Sequence, residues 1–180
     1  MRAAVQHGIQ LISSLANCNR SANVHLHYAS GFVRRRTRLN LLAALGIVLF
    51  ILVAKAQILA AATSAARGKL GLFINEEDSR WLKGKTVDVD DPRVHRIHRA
   101  HRNDLEALLP FAIVSALYVA SGGPANAGIA YFAIFLFARL LHTFAYLGQR
   151  ASLRRLAFTI SWVINFVIGG HAIFELVIRG

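Results

Sequence analysis

The chain has 180 residues, enough for one domain. It is 55% hydrophobic, only 17% charged, and has a mean hydropathy of +0.44, too apolar for an ordinary soluble domain. The formal net charge is +12 and there is a single cysteine, Cys18, which excludes an intrachain disulfide and a cysteine metal cluster.

The cations flank apolar runs, the pattern that orients membrane proteins, so no nucleic acid is expected as a partner. Residues 1–38 contain no Asp or Glu and carry Arg2, Arg20, Arg34, Arg35, Arg36 and Arg38. Gln6, His7 and Gln10 interrupt the apolar content, which argues against a secretory segment. A basic, disordered N-terminal tail is expected there.

A first apolar run extends from about Leu41 to Ala66, beyond the roughly 20 residues a bilayer requires. Lys55 lies deep within it, and either snorkels or faces the bundle interior, or supplies a charge near an internal site. The alanines Ala60, Ala61, Ala62, Ala65 and Ala66 suit close helix contact.

Residues 67–104 form a polar connection rich in both signs of charge. Within it, Asp90-Asp91-Pro92 reads as a helix start, an acidic cap followed by proline at the first helical position. The second helix is predicted from there to about Ala120, with its first three turns in the headgroup region. At about 100° per residue, Arg99, Arg102, Asn103 and Glu106 share one of its faces. Charge at membrane depth is expensive and usually functional. Pro110 follows, and cannot donate to the carbonyl of Glu106.

Ser121-Gly122-Gly123-Pro124 is a short uncharged turn. A third span is predicted from about Ala127 to Leu147, with Arg139, His142 and Tyr146 on one face. Arg139 must face protein or water, and Glu106 is the expected partner. Residues 148–155 form a basic turn, and a fourth span runs from about Leu156 to Ile178. Its His171 and Glu175 read as a local structural pair.

The fold class is therefore all-α, an integral membrane four-helix bundle over residues 39–180, because helices satisfy their backbone internally in lipid. The connections after spans one and three hold nearly all the loop Lys and Arg, so these loops are expected to face the cytoplasm.

One membrane face then presents Arg67, Arg99, Arg102, Asn103, Arg154 and Arg155, with Glu106, Arg139, His142 and Tyr146 just beneath. Guanidiniums bind carboxylates bidentately. Such a basic funnel fits a polar anionic ligand beside an apolar second ligand reached through lipid. No Ser-His-Asp order, Gly-rich phosphate loop or metal spacing occurs in the sequence. Any chemistry must come from a bound cosubstrate whose nucleophile these groups activate.

Two stretches, Arg99-Ala-His-Arg-Asn-Asp-Leu-Glu106 with Pro110-Phe111, and Arg139-Leu-Leu-His142-Thr-Phe-Ala-Tyr146-Leu-Gly148, resemble the MAPEG family. These are membrane-associated proteins of eicosanoid and glutathione metabolism. The resemblance covers about Leu41 to Ile178 and implies a homotrimer of four-helix subunits, with glutathione bound between neighbours near the cytoplasmic face. By position it implies that Arg67, Arg99, Arg102, Asn103, Glu106, His142 and Tyr146 contact glutathione. It implies that Arg154 holds the thiolate, with Arg155 as a rival, and that Asp78 acts with that arginine.

There are departures from the prostaglandin-synthesising branch. Arg155, Phe158 and Trp162 stand where that branch has serine, tyrosine and glutamine. These changes argue against prostaglandin isomerisation and leave both helix motifs complete. The expected activity is a glutathione transferase or peroxidase acting on lipophilic electrophiles or hydroperoxides. The alternatives are a glutathione-dependent prostaglandin-type isomerase, and a non-catalytic lipid-binding or scaffold protein of the same fold.

Overall fold

The computed structural model describes residues 35–178 in full. The tail expected over residues 1–38 lies, up to residue 34, outside the described residues. The chain divides into the units Met1–Asn40 and Leu41–Gly180, and every side-chain contact and cavity described below lies in the second.

The element order is α1 (Arg2–Leu70), β1 (Leu72–Phe73), α2 (Glu76–Trp81), β2 (Lys85–Thr86), α3 (Pro92–Ser121), α4 (Ala125–Leu147) and α5 (Ala151–Arg179). Among the described residues, four segments are long and apolar enough to cross a membrane: Arg35–Leu70, Pro92–Ser121, Ala125–Leu147 and Ala151–Ile178. The all-α membrane class expected from the sequence is the one observed.

Local chemistry sets the helix ends. Asp91 caps α3, its carboxylate accepting from the Arg93 amide at 2.9 Å, with Pro92 in the first turn. Gly122 closes α3 in the left-handed region at φ 74°, a conformation that glycine adopts without a Cβ penalty. The fourth span begins earlier than expected, at Ala151 rather than Leu156. The Arg154 amide donates to the Arg150 carbonyl at 3.0 Å, so Arg154 and Arg155 stand on the first turns of α5 rather than in a loop.

The polar connection is more ordered than its composition indicates. β1 and β2 pair in parallel, Leu72 opposite Lys85 and Phe73 opposite Thr86. With α2 they make a small cap between α1 and α3. Gly84 is required there, since a Cβ would lie 2.4 Å from the Phe73 ring and 2.7 Å from the Gly71 carbonyl.

The bundle core draws Leu41, Leu45, Val48 and Leu52 from α1, Phe111, Tyr118 and Val119 from α3, Phe132 and Phe135 from α4, and Ile164, Ile168 and Ala172 from α5. Phe111 and Phe135 stack face to face at 3.9 Å. Gly128 lets Leu41 and Tyr118 approach α4: a Cβ there would lie 2.6 Å from one and 2.7 Å from the other. Lipid is as apolar as these side chains, so close packing rather than exclusion from water holds the helices together. Large apolar residues such as Phe50, Ile58, Phe137 and Phe166 are correspondingly exposed around the perimeter. The His171 and Glu175 pair is seen at 3.5 Å, with the Tyr131 hydroxyl 3.1 Å from the other ring nitrogen of His171.

Candidate functional site

The buried stripe of α3 includes Ala100, Asp104, Phe111, Ser115 and Tyr118, which recur at helical spacing. Asp104 is its one acidic member. The face singled out from the sequence lies on the other side of the helix. Arg99, Arg102 and Glu106 are exposed, and Arg102 pairs with Glu106 at 3.0 Å. Asn103 sits at the margin between the two faces, half-buried.

Asp104 is where three helices meet. Its carboxylate accepts from Lys55 of α1 at 2.8 Å and from the Arg139 guanidinium of α4, and Thr143 donates to it at 3.1 Å. Lys55 also donates to the Arg139 carbonyl at 3.0 Å and to Thr143 at 2.9 Å. The expected pairing of Arg139 with Glu106 is thus replaced by one with Asp104, because the core stripe of α3 aims Asp104, not Glu106, at α4. Lys55 faces the bundle interior, one of the placements its depth in the span left open.

This network reaches the surface through Asn103. Arg139 donates to the Asn103 backbone carbonyl at 3.2 Å and to its side-chain oxygen at 3.1 Å. Asn103 thus accepts from Arg139 through both its backbone and its side-chain oxygen.

Beside Asn103 opens a polar cavity of about 280 Å³, lined by Asn103, His142, Tyr146, Arg154, Arg155, Phe158 and Thr159. The Arg154 guanidinium lies over the Tyr146 ring at 4.7 Å from its centre, a cation–π placement that fixes it. His142 is 2% exposed and its ring centre lies 5.7 Å from that of Tyr146. Among the described residues no carboxylate lines this cavity, so it presents donors and positive charge.

An apolar groove of about 670 Å³ runs between α3 and α5, from Asn103 and Glu106 past Pro110, Phe158, Trp162 and Phe166 to Ile173. Asn103 and Phe158 line both spaces. The two cavities share a wall.

Of the residues singled out from the sequence, the structure brings Asn103, His142, Tyr146 and Arg154 together in one cavity, with Glu106 at the adjoining groove. Arg67 is elsewhere. Its guanidinium grips Asp90 with two bonds of 2.8 and 2.7 Å, and this holds the Asp90 carboxyl below the usual carboxylate range. Asp78 stands on α2, accepting from the Asn75 amide at 3.2 Å, and does not line the cavity. Arg99 and Arg102 also lie outside its lining. The sequence reading missed Asp104 and Thr143. The signal was present in the spacing of Asp104 from Phe111, Ser115 and Tyr118, the apolar stripe of α3.

Comparison with known proteins follows the same lines. The model of the MAPEG family matches residues 40–174. Prostaglandin E synthase of Bos taurus is 37% identical over 112 residues, 62% of this chain and 73% of that protein. The Homo sapiens protein of the same name is 36% identical over 112 residues, covering 62% and 74%. Microsomal glutathione S-transferase 1 of Rattus norvegicus is 39% identical over 101 residues, 54% of this chain and 65% of that one. A family match over most of the chain, on four membrane-length helices, makes this multi-pass membrane protein a member of the MAPEG family.

Proposed function

We propose that the chain is a membrane-bound glutathione transferase or peroxidase, which activates the glutathione thiolate for attack on lipophilic electrophiles or hydroperoxides. The observation that carries this reading is the shared wall: a donor-lined polar cavity opens beside an apolar groove, with Asn103 and Phe158 belonging to both. A water-soluble thiol and a lipid-soluble acceptor meet at such a junction. The named relatives, a glutathione S-transferase and a prostaglandin synthase, support it.

A free thiol has a pKa near 8.5, so a few per cent is thiolate at neutral pH. A guanidinium beside the sulfur in a partly desolvated cavity lowers that value. Arg154, fixed over Tyr146, takes this role. Asn103 donates to the peptide, His142 and Tyr146 shape the floor, and Glu106 receives the ammonium end. The thiolate then attacks an acceptor lying in the groove, and the proton leaves to water.

Arg67, Asp78, Arg99 and Arg102 lie outside the polar cavity of one protomer. In the homotrimer that the family resemblance implies, they complete a neighbour's site. The basic connections and the glutathione site then face the cytoplasm.

The test is glutathione conjugation by detergent-purified protein against a panel of hydrophobic electrophiles, hydroperoxides and a prostaglandin endoperoxide, alongside thermal stability with and without glutathione. A ligand at 100 times its dissociation constant stabilises the folded state by about 2.7 kcal/mol. No stabilisation and no conjugation in folded protein would leave the scaffold reading.

A further inference from the structure

The two arginines of the polar cavity are not equivalent. Arg154 is half-buried and stacked over Tyr146. Arg155 is exposed and forms no ion pair or ring contact among the described residues. One thiolate needs one guanidinium, so the second is free to meet another developing charge.

Arg155 also heads the stripe of α5 that becomes the groove. At about 100° per residue it is in line with Trp162, Phe166 and Ile173, and Phe158 beneath it is the wall common to both spaces. From Phe158 to Ile173 this stripe rises about 22 Å at 1.5 Å per residue. The tails of one leaflet fill only about 15 Å, half of the roughly 30 Å hydrocarbon thickness. The far end is open, and two glycines line it. A Cβ on Gly170 meets nothing within 4 Å, and one on Gly169 touches only Val114 at 3.5 Å.

We infer that the second substrate is a long single-chain lipid with an α,β-unsaturated carbonyl at its end, its oxygen on Arg155 and its tail in the groove past Gly170. This deepens the transferase reading and rests on it. A chain-end electrophile of this kind puts the carbon to be attacked and the oxygen that becomes negative within three bonds, and sends the whole tail one way. The thiolate held by Arg154 forms a bond to the β-carbon. The π pair of the double bond shifts to give an enolate, whose oxygen accepts from Arg155. Water then protonates the α-carbon. No oxidant or reductant is needed.

The experiment compares trans-2-hexadecenal with trans-2-hexenal on the full chain in nanodiscs, for the unaltered protein, Gly170→Phe and Gly170→Ala. A helical side chain leans toward the N-terminus, so Phe at position 170 closes the groove near the level of Phe166. The ratio of kcat/KM for the long over the short enal should fall at least tenfold in Gly170→Phe and hold in Gly170→Ala. Arg155→Ala should lower kcat for both enals, with partial rescue by Arg155→Lys, while the absorbance of bound thiolate persists.

Groove occupancy has a readout that needs no thiol. In a Trp81→Phe background the remaining tryptophan, Trp162, lines the groove. The unreactive 2-hexadecanone should shift its emission, and Gly170→Phe should abolish that shift. An unchanged chain-length ratio, no shift with 2-hexadecanone, or loss of thiolate in Arg155→Ala overturns the inference. So does a change of oligomer size in Gly170→Phe on native mass spectrometry, which would give the groove to a second copy of the chain. Absence of bound thiolate from the unaltered protein, with the 2-hexadecanone shift intact, would instead overturn the thiol reading.

Discussion

Lys55 and Asp104 lie 49 positions apart and meet at 2.8 Å inside the bundle, where Asp104 also receives the guanidinium of Arg139. Two cations are thus held away from lipid by one carboxylate. Asp104→Asn would leave both cations without a counter-charge. Breaking a buried pair in this way costs about 3–5 kcal/mol. Lys55→Met should cost less, because Asp104 keeps Arg139. Thermal unfolding of the two variants in one detergent orders them, and equal losses would contradict the central role of Asp104.

Arg154→Ala should move the appearance of glutathione thiolate to higher pH. A tenfold loss of thiolate at fixed pH corresponds to about 1.4 kcal/mol. Loss of a positioned donor to a developing anion commonly lowers kcat by about 100-fold or more. Ultraviolet absorbance of the bound thiolate against pH reads the first effect and conjugation kinetics the second. A titration that superimposes on that of the unaltered protein would remove Arg154 from the mechanism.

The pairing of Arg67 with Asp90 carries a pH signature. The Asp90 carboxyl is held below its ordinary value, first by the hydrogen bonds from Arg67. A carboxyl whose folded pKa is depressed binds fewer protons in the folded state than in the unfolded one. Its stabilisation is fully present above the unfolded value of about 3.9 and is lost as pH falls through the lower folded value. Unfolding temperature should therefore drop on acidification below about pH 4, and the drop should be shallower in Asp90→Asn. Identical acid limbs would show that the pair contributes nothing to stability.

Gly128 and Gly46 should respond in opposite ways to alanine. A Cβ at Gly128 meets Leu41 and Tyr118 under 3.0 Å, whereas one at Gly46 meets nothing within 4 Å. Overpacking at Gly128 should cost about 1–3 kcal/mol. At Gly46, inside α1, the change should be neutral or stabilising by up to about 1 kcal/mol, through reduced backbone entropy of the unfolded chain. Paired unfolding measurements in one detergent decide the matter.

Much of this architecture is legible in the amino-acid sequence. Four apolar runs, the Asp91-Pro92 helix start and the Gly122 stop are local features, and lipid admits few folds other than helices for such runs. That Asn103, His142, Tyr146 and Arg154 lie toward one membrane end also follows from the alternating direction of successive spans, with His142 and Tyr146 on one face of α4. The packing of the helices alone fixes which acid meets which cation. Glu106 and Asp104 stand two residues apart, about 200° around α3, and the side of the helix that packs on α4 settled that Asp104 takes Arg139 and Lys55. The groove beside Phe158 arose in the same way, from surfaces contributed by α3 and α5, whereas the order of the Leu72–Thr86 connection rests on contacts within that connection. Periodicity along one helix reveals which residues share a face, but not which neighbour that face will meet, and here that neighbour set the charge pairing.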